Sequence, residues 1–456
     1  MFERYKVIHM VGIGGVGMSG IAEVLHNQGY EVTGSDARES QMVRRLRGLG
    51  LAIHVGHSPE NVDGAHVVVI SSAVREDNPE VREAHRRGIP VIPRAEMLAE
   101  LGRLKYAVLV AGSHGKTTTT SLVATALAHA RLDPTVVIGG RLNALGTNAR
   151  LGWGDFMVAE ADESDGSFLK LSPTIGVVTN IDAEHLDHFK NLANLKEAFL
   201  SFMNKVPFYG LSVVCADDLN VRELLPRVHR KVLTYGFSPD AELRARALAH
   251  EGMSVAFEAV LHGRSLGSFR LPVPGAHNAL NALAAIGVAL ELQISPELLR
   301  DALAGFGGIH RRLERKGEAR GVAVFDDYGH HPTEIRATLG AAREALDGGR
   351  LVVVFQPHRY TRTRDLMGEF ASSFGDADVL VLMDIYPAGE EPLEGITAEA
   401  LHREVARHED GVLYMPGGEE AARFVAREAR PGDVVLTLGA GDVWKVGEAV
   451  LKELGS

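Results

Sequence analysis

Short β-branched and apolar runs alternate with helix-period segments along almost the whole chain, and that alternation restricts it to parallel sheets crossed by helices. Parallel neighbours need a long crossover, and a helix is the usual one. Three blocks follow this grammar. Residues 1–99 hold strand candidates Val7–Val11, Glu31–Gly34, His66–Ser71 and Pro90–Ile92. Residues 100–312 hold Tyr106–Gly112, Thr135–Gly139, Phe156–Glu160, Ile175–Asn180 and Leu211–Cys215. In the same block Met253–Leu261 and Gly267–Pro272 alternate without long helices, which predicts an antiparallel edge, and a small-residue helix follows at Asn278–Leu292. Residues 313–456 hold Val322–Asp326, Leu351–Phe355, Val379–Asp384, Val412–Met415 and Val434–Leu438.

The strongest chemical signal is Gly112-Ser113-His114-Gly115-Lys116-Thr117-Thr118, which leaves a strand and opens a helix. Glycines let backbone N–H groups approach phosphates, and a helix N-terminus favours negative charge. Lys116 would reach the outer phosphates and the Thr117 hydroxyl a Mg²⁺ ion. The loop is a shortened variant, because Val110 stands where the usual spacing places its first glycine. Two acidic segments follow neighbouring strand candidates. Glu160 leads into Ala-Asp162-Glu163-Ser164-Asp165, and Asn180 into Ile-Asp182-Ala-Glu184-His185-Leu-Asp187-His188. Carboxylates and imidazoles past parallel strand ends sit where a metal-bound nucleotide would lie.

A second glycine loop, Gly12-Ile-Gly14-Gly15-Val-Gly17, follows Val7–Val11 and precedes a helix predicted over Met18–Gln28. With Asp36 ending the next strand, it would on its own read as a dinucleotide site. Two phosphate loops in one chain instead favour two phosphorylated ligands, ATP and a nucleotide-bearing substrate.

Composition narrows the classes. Across 456 residues, 48 Lys+Arg stand against 59 Asp+Glu, a formal charge of −11. Such a surface argues against coating nucleic acid. Cys215 is the only cysteine, so no intrachain disulfide forms, and its apolar run predicts a buried thiol. No apolar run approaches the ~20 residues of a membrane span. With no signal-peptide pattern at its start, the chain is expected in the cytoplasm.

Taken together, these motifs resemble the Mur ligase family of peptidoglycan precursor synthesis. The resemblance also rests on Gly275-Ala-His277-Asn278-Ala-Leu-Asn281, His310-Arg-Arg312-Leu-Glu314, Asp326-Asp327-Tyr328-Gly-His330-His-Pro-Thr333 and Gln356-Pro-His358-Arg359-Tyr-Thr-Arg362. It implies an α/β fold of three domains: a Rossmann-like N-terminal domain over 1–99 binding a UDP-sugar, a central P-loop ATPase-type domain over 100–312, and a C-terminal Rossmann-like domain over 313–456 binding the amino acid. The pattern falls nearest the alanine-adding subgroup, so the implied substrates are ATP, UDP-N-acetylmuramate and L-alanine. The implied cofactor is Mg²⁺ or Mn²⁺, and the implied assembly a monomer or weak homodimer.

Carried over residue by residue, the resemblance gives Lys116 and Thr117 the phosphate and metal roles, with Glu160 and His185 as metal ligands. His277, Asn278 and Asn281 resemble the adenine-side wall, and Arg312 and Asp327 the groups holding the nucleotide from the third domain. Gly12, Gly14, Gly15, Gly17, Met18, Asp36, Ser71, Thr147 and Asn148 fall to the UDP-sugar. Tyr328, His330, His358, Arg359 and Arg362 fall to the amino acid and phosphate, with His330 the first candidate for the base and Arg359 a catalytic charge. Several members of the family carry a carbamate-modified lysine downstream of the metal histidine. Phe199-Leu200-Ser201 stands in that region here.

Overall fold

The computed structural model describes residues 6–71, 73–103, 105–142, 147–346 and 348–455. For Val16, residues 140–142, Thr147, Asn148 and Asp187 it describes the backbone alone.

Among the described residues, three sheets carry the fold. The first runs Ala52–Val55, Glu31–Asp36, Val7–Val11, Val67–Ile70, Val91–Pro93, all parallel. Its strand order reverses beside Val7–Val11, so the first glycine loop opens at the switch point, where a crevice forms. The helix after it begins at Val16 rather than Met18, which draws Gly17 into the first turn.

In the central sheet, Tyr106–Ala111 lies between Ile175–Val178 and Phe156–Glu160 and runs parallel to both. Strands Leu211–Cys215 and Val232–Gly236 extend one side, and Thr135–Leu142 and Thr147–Arg150 the other. Leu243–Glu251, Ser254–Leu261 and Arg264–Leu271 complete it in sequence order, linked by the tight turns Gly252-Met253 and His262-Gly263. Such short links join antiparallel strands.

The third sheet runs Glu314–Ala319, Val322–Asp327, Val434–Leu438, Leu351–Phe355, Val379–Leu382, Val412–Tyr414. Only the first of these strands is antiparallel to its neighbour. Leu351–Phe355 is buried at every residue. Leu351, Val353 and Phe355 pack against Ile335, Leu339 and Phe370, while Val352 and Val354 pack against Ala421, Val425 and Val450. A strand covered on both faces belongs to a parallel sheet between helix layers.

The chain divides into two compact units. One comprises 1–246, 258–269 and 280–307, and the other 247–257, 270–279 and 308–456. Among the described residues no helix is long and apolar enough to cross a membrane. Cys215 is buried, as expected, and burial pushes its thiol up to about 11.

Candidate active site

Sheet order explains why distant motifs meet in the first unit. Gly112, Asp162 and Asn180 each follow one of three adjacent parallel strands, so their loops emerge at a single sheet edge. Gly112 has φ +136°, and a Cβ there would collide with Thr179 Oγ1, so glycine is required. Gly115, at φ +82°, ends the loop and starts helix Lys116–His129. The segment after Ile175–Val178 holds the loop in shape. Asn180 Oδ1 accepts from His114 N–H at 2.8 Å, Thr179 Oγ1 donates to His114 O at 2.6 Å, and Ser113 Oγ accepts from Asp182 N–H at 2.8 Å. The His114 ring meets Asp182 at 3.0 Å.

Lys116 donates to Gly112 O at 2.6 Å, Ser113 O at 3.2 Å and Glu163 Oε1 at 2.8 Å. Burial works against its charge, but Glu163 and Asp162 outweigh that and hold the ammonium charged well above lysine's usual range. The Glu163 side chain is only 1% exposed, and burial pushes its carboxyl up to about 7. Its Oε2 is buried without a hydrogen-bond partner. His185, in left-handed backbone at φ +55°, places Nε2 3.8 Å from Glu163 Oε1. One ligand atom each from Glu163, Glu184 and His185 lies within 4.8 Å of the others. Left-handed backbone at a non-glycine residue costs of order 1–3 kcal/mol and gathers at functional sites.

Glu160 stands apart from that trio. Its Oε1 accepts from Gly139 N–H at 2.8 Å, and its carboxylate also bonds the Thr117 hydroxyl. Thr118 is buried in the helix behind the loop. Asn281 Oδ1 accepts from Thr119 Oγ1 at 3.1 Å and stands over Gly115.

In the first glycine loop, Gly12 adopts φ +76° against Ser71, and Gly15 caps the helix. Asp36 Oδ2 accepts the loop's own Gly14 N–H at 2.9 Å, so the acid braces the turn. Met18 is buried. The side chains of Thr147 and Asn148 lie outside the described residues. Arg94, which sequence reasoning missed, lies over Gly17 and reaches Asp162 at 3.4 Å. Its cation therefore lies between the first glycine loop and the acidic turn.

The second unit repeats the convergence. Loops after Val322–Asp327, Val434–Leu438, Leu351–Phe355 and Val379–Leu382 leave one edge of adjacent strands. Asp327 is buried, accepts from Leu313 N–H and Gly329 N–H at 2.7 Å each, and burial pushes it up to about 6. The Arg312 guanidinium lies 5.5 Å from the Tyr328 ring centre. Burial, then Arg312, push His277 down to about 4, so it is neutral at working pH. The Asn278 amide turns back to Pro274 O at 2.7 Å.

Two histidines face each other there, 5.8 Å between ring centres. His330 Nδ1 lies 3.0 Å from Tyr328 O and 3.5 Å from Glu334 Oε2, both acceptors, so Nδ1 carries a proton. His358 Nδ1 is instead an acceptor. Arg362 donates toward its Nδ1 at 3.4 Å, which leaves the proton on Nε2. Burial, with His330, Arg362 and Arg359 nearby, pushes His358 down to about 3. The pair thus presents a protonated Nδ1 on His330 and a neutral Nε2–H on His358.

The Mur ligase family catalytic domain matches residues 7–106, the Mur ligase middle domain 110–289, and the Mur ligase glutamate ligase domain 311–441. UDP-N-acetylmuramate–L-alanine ligase of Geobacter sp. (strain M21) is 59% identical over 455 residues, covering 100% of this chain and 99% of that protein. The ligase of the same name from Geobacter sulfurreducens is 56% identical over 456 residues, with 100% and 99% covered. Among solved structures, UDP-N-acetylmuramate–alanine ligase from Thermotoga maritima superposes with TM-score 0.84 at 30% identity, covering 98% of each chain.

Proposed function

The chain belongs to the Mur ligase family, and from that membership we propose that it joins L-alanine to UDP-N-acetylmuramate at the expense of ATP. The observation that carries this reading is full-length likeness: relatives 56% and 59% identical across the whole chain bear that activity in their names. The geometry agrees, since one strand edge offers a phosphate loop with a charged lysine and the other an amine-side base with paired arginines.

The reaction runs in two steps. An oxygen of the lactyl carboxylate attacks the γ-phosphorus of ATP, the bond to the β-bridging oxygen breaks, and ADP leaves an acyl phosphate. The alanine amine then attacks the acyl carbon, and the tetrahedral adduct expels phosphate and leaves an amide. Positioning and charge neutralisation dominate such transfers. Lys116 swings from Glu163 and the loop carbonyls to the terminal phosphate. Backbone N–H groups at the head of helix Lys116–His129 face the remaining phosphates. His330 Nε2 takes the proton the amine must lose, while His358 Nε2–H and the guanidinium groups of Arg359 and Arg362 hold carboxylate and phosphate oxygens.

A divalent cation fits the first unit's residues. Glu163 Oε2 is a buried oxygen with no hydrogen-bond partner, beside Glu184 and His185, and Thr117 and Glu160 form a second pair of oxygen donors. Such an ion, Mg²⁺ or Mn²⁺, would neutralise charge on the transferring phosphoryl group. Lys116 holds the compensating charge beside Glu163 until nucleotide draws it away.

The test is ADP release with UDP-N-acetylmuramate and each amino acid in turn. Turnover with L-alanine, and an amide product of the condensed mass, are expected. Turnover only with a peptide, or ATP hydrolysis without condensation, contradicts the reading.

A further inference from the structure

Sequence reasoning gives no role to Tyr386-Pro-Ala-Gly-Glu390, which follows strand Val379–Leu382. In the structure this segment backs His358 and Arg359. Tyr386 O accepts from Arg359 N–H at 2.8 Å, and the Tyr386 ring stacks on His358 with 5.5 Å between centres and a 7° tilt. Glu390 Oε1 lies 3.0 Å from Arg359 Nε and accepts from Thr361 Oγ1 at 2.6 Å, while Oε2 accepts from Thr361 N–H at 3.0 Å.

We propose that Glu390 is a positioning residue of the amino-acid site, aiming the Arg359 guanidinium at the carboxylate of the amino acid. The inference rests on the function proposed above, in which His358, Arg359 and Arg362 meet that anion.

Three observations support it. Arg359 sits in left-handed backbone at φ +73°, which arginine adopts only when its surroundings enforce it. The Tyr386 carbonyl and Glu390 are those surroundings: one holds the backbone N–H, the other the side chain and the residue two further on. The chemistry of guanidinium adds the second point. With Nε committed to Glu390, the terminal NH₂ groups remain to fork onto another anion. The Arg359 side chain is 43% exposed and Glu390 18%, so the arginine meets solvent and the acid stands behind it. Finally, burial alone would raise the Glu390 carboxyl, but its bonds from Thr361 and the charge of Arg359 hold it below the usual carboxylate range. It is therefore an anion wherever the enzyme works.

The experiment compares Glu390→Gln, Glu390→Asp, Arg359→Ala and the double variant Glu390→Gln/Arg359→Ala in the full chain. Glu390→Gln should raise KM for L-alanine by about tenfold or more, with KM for ATP and UDP-N-acetylmuramate within about twofold. Glu390→Asp, which keeps the charge, should recover part of the loss. The double variant should be no worse than Arg359→Ala, because the acid acts only through the arginine. Melting curves identify variants that do not fold, and if Glu390→Gln is one, Glu390→Asp against Arg359→Ala makes the same comparison. An unchanged alanine KM in an alanine-dependent enzyme, additive losses, or all three KM values rising together overturns the proposal. A wild-type enzyme indifferent to L-alanine overturns instead the function on which it rests.

Discussion

Lys116 and Glu163 form a 2.8 Å ion pair in which the carboxylate is almost wholly enclosed. A buried pair is costly to assemble and more costly to break from one side. The lysine has two tasks, as charge for nucleotide phosphate and as the cation that makes a buried acid tolerable.

Lys116→Ala should therefore lose on both counts. We expect kcat to fall by about 10²-fold or more, as for loss of a single preorganised charge, while UDP-N-acetylmuramate affinity stays within about twofold. Stability should fall by about 3 kcal/mol, and Lys116→Ala/Glu163→Gln should regain part of it. Kinetics, direct binding of the UDP-sugar and thermal melting read the three quantities. Equal loss of turnover and sugar affinity would argue against separate sites.

The neutral tautomer of His358 can be seen directly. In ¹⁵N-resolved spectra, His358 should keep a neutral Nε2–H ring from pH 8 down to about 4, because its folded value lies near 3. Arg362→Ala should shift that tautomer balance. A His358 ring that titrates near the ordinary histidine value would contradict the assignment.

Glu80, bonded to Ser35 beneath the first glycine loop, gives a separate pH signature. Burial would raise its carboxyl, but His9, Ser35 and Asn61 override that and hold it at about 2. Since the folded value lies below the unfolded one, the stabilisation is present above the ordinary carboxylate pKa and is lost as pH falls toward 2. A shift of this size corresponds to about 3 kcal/mol. Glu80→Gln should flatten the loss of stability between pH 4.5 and about 2, followed by denaturant titration at each pH.

Cys215 should react with a thiol reagent only on unfolding, since its burial and raised pKa leave almost no thiolate. Cys215→Ala should retain activity. Rapid modification of the native enzyme would contradict its burial.

The parallel strands were legible wherever both faces are buried, as in Leu351–Phe355, because an unbroken apolar run has few other readings. Glu314–Ala319 was not, since an edge strand of charged residues is held by its backbone pairing with Val322–Asp327. Lys116, His185 and Arg359 were visible because glycine, histidine and arginine motifs carry chemistry in their identity. Arg94, Tyr386 and Glu390 were not, because their meaning depends on which strands are neighbours. The choice of Glu163 beside His185 was hidden for the same reason: Glu160 and Glu163 share one short acidic segment, and only backbone direction separates their environments.

The central claim is that the γ-phosphoryl group of ATP passes to the lactyl carboxylate before the amine attacks. It is tested most directly by supplying UDP-N-acetylmuramate with ¹⁸O in that carboxylate, together with ATP and L-alanine, and analysing the released phosphate by mass spectrometry. One labelled oxygen in each phosphate formed is the predicted result. With both carboxylate oxygens labelled, unlabelled phosphate, the displaced oxygen leaving as water, would contradict the account.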